Sequence, residues 1–163
     1  LGISNKLFLS SEIWQNHPCC VVAVRDDFSE PYSEAVQEFV EYLVDAGKYI
    51  AEKSTMAAFM ALKFLDPEKK IGLKLPVLKN VLSDPLGITT DNLYPFKDDI
   101  DRMQRYMYDK MGVGHIVDID NFVDNQFAKI ACADFDSRSH SAEFLNSEER
   151  VKAILSRSVL APE

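Results

Sequence analysis

The residues best suited to hold a small solute lie in one short segment near the start of the chain. They are Glu12, Trp14, Gln15 and His17. An amide such as that of Gln15 can donate to an oxoanion, and an imidazole such as that of His17 can donate in either protonation state. A carboxylate at position 12 would repel an anion but could orient a neighbouring donor. The pattern predicts four ligand contacts, although solvated turn residues would have the same composition.

Trp14 is the only tryptophan in the chain. Its indole N–H could point at an anionic ligand from the wall of a cleft. The alternative is that the ring is simply packed and buried, as large aromatic rings commonly are. The polar neighbours of this residue favour a surface or cleft position.

The chain has three cysteines, Cys19, Cys20 and Cys132, which could carry out a second kind of chemistry. A thiol beside an imidazole such as that of His17 can become a nucleophilic thiolate. Successive side chains on a strand alternate between faces, so we expect at most one of the adjacent pair to point toward any site. A cysteine-dependent enzyme is therefore the weakest of the three functions considered, and no catalytic residue is predicted.

Other motifs predict no metal site and no cofactor. The aspartates at positions 118, 120 and 124 lack the glycine and the bidentate glutamate of a calcium loop, and helix capping explains them better. The glycines at positions 112 and 114 lack the third glycine of a dinucleotide fingerprint.

Composition narrows the class of partner. The chain has 163 residues, 47% of them hydrophobic, which is enough for one domain with a hydrophobic core. With 26 acidic against 18 basic residues the formal net charge is -8, which argues against nucleic acid. No run of about 18 apolar residues is present, so no membrane span is predicted.

Periodicity predicts a fold with more helix than strand. The apolar residues 19–24 form a continuous β-branched run typical of a buried strand, and residues 6–9 are a weaker candidate. Helical spacing follows over residues 36–50, 54–65, 75–82, 96–111 and 122–130, and Ser147 can cap a last helix. Asp66-Pro67, Asp84-Pro85 and Gly112 mark helix ends.

The sheet implied by this pattern is incomplete. A buried strand needs neighbours for its N–H and C=O groups, and the chain supplies two strand candidates with no hairpin turn between them. The chain also opens on Leu1-Gly2 without an initiator methionine or a signal peptide. We therefore expect part of a longer α/β protein, whose open sheet edge could allow copies to associate.

Two parts of the chain resemble a known family. Residues 11–18, followed by an apolar run and Arg25-Asp26-Asp27-Phe28, resemble the interdomain crossover of periplasmic solute-binding proteins of the nitrate, sulfonate, taurine and thiamine-precursor group. Residues 106–114 resemble that family's late helix and glycine turn, and residues 118–128 resemble its closing acidic and hydrophobic helix.

The resemblance implies a fold and a role. The fold would be the helix-rich C-terminal portion of a type 2 periplasmic binding protein. Residues 1–18 would end the second lobe and form the crossover, residues 19–131 would carry the strand and helices, and residues 132–163 would be an extension. The role would be capture of a small, anionic solute by closure of two lobes outside the cytoplasmic membrane, followed by delivery to the membrane permease of an ABC importer.

A different class of function competes with this one. The chain could be a self-contained helical domain for protein interaction or dimerisation. Residues 19–24 discriminate between the two, because pairing with other strands favours the binding-protein fold, whereas a helical or loose segment favours the helical domain.

Overall fold

The computed structural model describes residues 7–133, and this part of the chain is helical. After a 3-10 turn at Ser10–Glu12 come seven helices: α1 (Asp26–Ser29), α2 (Ser33–Glu52), α3 (Ser54–Leu65), α4 (Leu75–Ser83), α5 (Lys97–Met111), α6 (Ile119–Phe122) and α7 (Gln126–Ala131). The chain divides into two compact units, one with residues 7–17 and 58–89 and the other with residues 18–57 and 90–133. The extension beyond residue 133, with the helix predicted at Ser147, lies outside the described residues.

The strand predicted at residues 19–24 is not formed. Over residues 7–133 the structure contains no strand, and the segment is an extended coil whose Val21 and Val22 side chains are 63% and 52% exposed. Residues 19–24 make no backbone hydrogen bond to another backbone group of the described chain. Branched side chains favour a strand only where a neighbouring strand pairs with it, and none is present here.

Two further expectations depended on that strand. The weaker candidate also fails, since residues 7–9 are coil and Lys6 lies outside the described residues. The open sheet edge through which copies could associate is likewise not seen in residues 7–133. The strand part of the α/β prediction is therefore wrong for the described chain, whereas its helix-rich part is confirmed.

Helix ends follow the proline and glycine signals of the sequence. α3 ends at Leu65, directly before Asp66-Pro67, and α4 ends before Asp84-Pro85. α5 ends at Gly112, whose φ of 65° lies in the left-handed region that glycine adopts without strain. The helix predicted over residues 122–130 is instead two short helices, and Asp118 caps the first by accepting from the Asp120 N–H at 3.1 Å.

The unit with residues 18–57 and 90–133 is organised around α2. Its buried side chains include Val36 and Val44 on α2 and Ala128 on α7, and these two helices pack against each other. The Gln37 amide also donates to the Phe127 carbonyl at 3.4 Å. Burying small and branched side chains against each other is the main stabilising contribution to such a helix pair.

Polar side chains hold the later helices of the same unit. Lys97 at the start of α5 donates to the Asp120 carboxylate at 2.9 Å. The Gln104 amide accepts from the Val117 N–H at 2.9 Å and donates to the Val117 carbonyl at 3.1 Å. Gln104 thereby satisfies both backbone groups of a loop residue, as a paired strand would.

The unit with residues 7–17 and 58–89 contains a loop closed by one carboxylate. Asp66 is 5% exposed and accepts backbone N–H groups from Ile71 at 3.0 Å, Gly72 at 2.8 Å and Leu73 at 3.0 Å. Gly72 has a φ of 74°, in the left-handed region that glycine adopts without strain. The side chain of Asp66 therefore fixes the connection between α3 and α4.

Candidate functional site

The segment predicted to hold a solute is built on the 3-10 turn at Ser10–Glu12. The Trp14 N–H donates to the Ser10 carbonyl at 2.9 Å, which closes the turn. The Glu12 carboxylate accepts the Leu9 N–H at 2.9 Å. Because the first N–H groups of a helical turn have no partner within it, this bond gives Glu12 a structural role at the start of the turn.

Trp14 and His17 form the one aromatic pair of this segment. Their ring centroids lie 5.9 Å apart at an interplanar angle of 37°, and both residues are half-buried. The His17 Nδ1 lies 2.7 Å from the Trp14 carbonyl oxygen. A carbonyl oxygen only accepts, so Nδ1 carries the hydrogen, and the other ring nitrogen accepts when the imidazole is neutral and donates when it is protonated.

Two side chains that the sequence did not single out anchor the segment. The Ser11 hydroxyl donates to the Leu86 carbonyl, and the Thr89 hydroxyl lies 3.4 Å from the Asn16 side-chain oxygen. Asn16 has a φ of 55°, in the left-handed region that asparagine tolerates better than most residues. These contacts hold the turn against residues 86–89 of the same unit.

The four residues predicted as ligand contacts thus have three different environments. Trp14 and His17 are in contact, Glu12 holds backbone, and the Gln15 side chain is exposed. Whether these four bind a solute remains a prediction. The pair with the chemistry for an anion is Trp14 and His17, since the indole carries an N–H and the imidazole has a second N–H in its protonated form.

A depression of about 520 Å³ lies at the junction of α2 and α3 in the unit with residues 18–57 and 90–133. Its lining is Tyr49, Glu52, Lys53, Ser54, Thr55 and Met56. The Lys53 ammonium lies 5.3 Å from the centre of the Tyr49 ring, a cation–π distance. None of the four predicted contacts lines this depression.

Cys20 and Cys132 do not have the environment of a nucleophile. The Cys20 thiol donates to the Cys19 sulfur, and this hydrogen bond together with the Cys19 charge raises the pKa of Cys20. Burial raises the pKa of the half-buried Cys132. An activated cysteine requires the opposite shift, because the thiolate is the reactive form.

Residues 7–133 contain neither a metal-binding cluster nor a membrane-spanning helix. This part of the chain holds no cluster of three or more histidine, cysteine, aspartate or glutamate side chains that could bind a metal ion. Within the same range, every helix is too short or too polar to cross a bilayer.

A known family model matches part of the chain. The model of the NMT1-like family matches residues 1–63, which include the Trp14–His17 pair, the exposed coil at residues 19–24 and most of α3. No curated protein and no solved structure matches the chain. At the level of the family the match agrees with the resemblance of residues 11–28, and it covers the crossover-like segment but not the tail at residues 106–128.

Proposed function

We propose that this chain is part of the substrate-binding component of an ABC importer, located outside the cytoplasmic membrane, that captures a small anionic solute by closure of two lobes. The observation that carries the proposal is the family match over residues 1–63. The partners would be the solute itself and the membrane permease that receives it. Capture rather than turnover is the mechanism, so no residue is assigned a catalytic role.

Local geometry adds support for an anionic ligand. The Trp14–His17 pair lies inside the matched residues, on a turn whose backbone is held by Glu12 and Ser11. A rigid turn reduces the entropy lost when its donors fix a ligand.

Titration with small anions tests this proposal. We expect one of nitrate, bicarbonate, methanesulfonate or taurine to shift the emission of Trp14, the only tryptophan, and to raise the melting temperature. His17→Ala and Gln15→Ala each remove a donor, and a hydrogen bond to a charged ligand is worth enough that affinity should fall about tenfold or more.

His115→Ala is the matched control, because His115 is an exposed histidine of the other unit. It should leave the affinity unchanged. If none of the three anions nitrate, bicarbonate and methanesulfonate changes either the emission or the melting temperature, the anionic-solute proposal is contradicted. Equal losses of anion affinity in His17→Ala and His115→Ala would instead show that the loss comes from the change in net charge.

One observation favours the helical interaction domain as the second candidate function. α3 carries a single charged side chain, Lys63, and is apolar on all sides. Its large side chains remain open to solvent, with Met60 56% and Phe64 84% exposed. A helix that is apolar all round is normally buried, so α3 is suited to pack against a second copy. The loose coil at residues 19–24 also favours this candidate over a completed sheet.

Light scattering after gel filtration tests dimerisation. The candidate predicts a mass that rises toward twice 18.5 kDa with concentration. Phe64→Asp would place a charge in the apolar face and should restore the monomer. Phe122→Asp, at another exposed phenylalanine that lies on α6 and is 67% exposed, should not. A monomer at every concentration excludes this second function.

A further inference from the structure

The methionines of this chain lie at its surface. There are five of them, each between 37% and 58% exposed: Met56, Met60, Met103, Met107 and Met111. Methionine is normally a flexible filler of gaps in hydrophobic cores. The most deeply buried apolar residues of the described chain are instead valines and alanines, namely Val36, Val44, Ala57, Ala58, Val123 and Ala128. The methionine side chains are therefore accessible to reagents in solution, and the core does not depend on them.

Three of the five methionines form a stripe along α5. Met103, Met107 and Met111 are four residues apart, and residues at that spacing are neighbours on one side of a helix. Exposure rises along this methionine stripe, from 37% at Met103 to 58% at Met111, next to the Gly112 at which the helix ends. Eight of the 15 residues of α5 are charged. The methionine stripe is therefore an apolar surface on a strongly charged helix.

The polar contacts that hold α5 in its unit do not use the methionine side chains. Lys97 pairs with the Asp120 carboxylate at 2.9 Å, and the Gln104 amide bonds both backbone groups of Val117. Oxidation of a buried methionine disrupts a core, because it places a polar group among apolar side chains. At the exposed methionine stripe the new polar group would face water, so these contacts should persist.

An accessible thioether reacts with hydrogen peroxide. The sulfur lone pair attacks one peroxide oxygen, so an S–O bond forms and the O–O bond breaks. The other oxygen leaves as hydroxide and becomes water with the proton of the transferred hydroxyl group. The sulfur loses two electrons and the peroxide gains them. The product, methionine sulfoxide, is polar, and methionine sulfoxide reductases convert it back to methionine.

We propose that Met103, Met107 and Met111 form a reversible oxidation site for hydrogen peroxide on α5. Each methionine consumes one molecule of peroxide, and the methionine stripe changes from apolar to polar while the helix stays folded. The site is independent of both candidate functions, since it uses neither the predicted ligand contacts nor the apolar face of α3.

Peptide mapping by mass spectrometry after peroxide treatment of the full chain tests the site. The cysteines are alkylated first, because thiols also react with peroxide. We expect each methionine of the stripe to gain one oxygen at a rate within about threefold of its rate in the urea-unfolded chain, with Met111 faster than Met103. The helical circular dichroism should be kept, and methionine sulfoxide reductases should remove the added oxygens. Oxidation more than about tenfold slower in the folded chain than in urea, or loss of the helical signal, would overturn the proposal.

Two variants show whether the methionine stripe is the surface that changes. M56L/M60L leaves methionine on α5 alone, and peroxide should shorten its retention on a hydrophobic-interaction column, because sulfoxides are polar. The matched control adds M103L, M107L and M111L, so that the chain has no methionine and keeps an apolar stripe. Peroxide should leave the retention of this control unchanged. An unchanged retention of M56L/M60L, or an equal change in the two variants, would contradict the proposal.

Discussion

Gly47→Ala should destabilise the protein strongly, although alanine is the better helix former. A Cβ atom at position 47 would lie 2.0 Å from the Thr90 carbonyl oxygen and 2.9 Å from the Leu93 Cδ1 atom. The nearer atom is backbone and cannot rotate away as the end of a side chain can. Overpacking costs about 1–3 kcal/mol or more, which exceeds the gain of about 1 kcal/mol in helix propensity. We expect a net loss of about 2 kcal/mol or more in the free energy of unfolding, measured by urea denaturation.

Ala46→Gly is the matched control for this prediction. Ala46 is the exposed neighbour of Gly47 in α2, so replacing it with glycine changes the intrinsic helix propensity without overpacking. That variant should lose about 1 kcal/mol or less. If Gly47→Ala is as stable as the wild type, or more stable, then residues 90–93 do not approach α2 as closely as the structure has them.

The positions of most helices could be predicted because their signals are local. Proline restricts the residue before it, and glycine alone adopts the left-handed region cheaply, so Asp66-Pro67, Asp84-Pro85 and Gly112 end helices in any context. The exception lies at residues 122–130. Asp124 there accepts the Gln126 N–H at 2.9 Å and starts a new helix, whereas the apolar spacing predicted a continuous one.

The strand was mispredicted because strand formation is not a local property. Residues 19–24 have the side chains that a sheet favours, but a strand is stabilised through hydrogen bonds to a neighbour and cross-strand contacts. The described chain provides neither. The same dependence on distant residues explains why the close approach at Gly47 escaped notice, since the carbonyl that meets it is on Thr90.

The residue types predicted which segment forms the candidate site, but not how its side chains are arranged. Residue types identified Trp14 and His17 as donors, and the structure places their rings in contact. The structural role of Glu12 had a sequence signal, since an acid three residues after the start of a turn commonly reaches back to its N–H. The roles of Ser11 and Asn16 had none, because both contact residues more than 70 positions away.

The expected directions of the Cys19 and Cys20 side chains were wrong for the same reason. The expectation that Cys19 and Cys20 point to opposite sides assumed a strand, and it fails where the strand does. Both residues are exposed, and their sulfurs lie 3.9 Å apart.

Acid should lower the free energy of unfolding, because it protonates the Asp66 carboxylate. The N–H groups of Ile71, Leu73 and Gly72 stabilise the charged carboxylate, so the pKa of Asp66 lies below its ordinary value near 3.8. The unfolded chain then binds a proton more readily than the folded one. Stability is fully present above the unfolded value near 3.8 and is lost as the pH falls through the lower folded value. Asp66→Asn removes this dependence and should be less stable than the wild type at neutral pH.

Urea denaturation over the acid range, with Glu68→Gln as the control, measures this effect. Glu68 lies two residues away, but its side chain is 68% exposed and pairs only with the open Lys70. An exposed ion pair contributes little, so Glu68→Gln should follow the wild-type curve. Asp66→Asn should start lower at neutral pH and converge with the wild type in acid, because protonation of the wild-type carboxylate removes the same charge. If the free energies of unfolding of Asp66→Asn and the wild type change in parallel with pH, the three N–H hydrogen bonds do not depend on the charge of the Asp66 carboxylate.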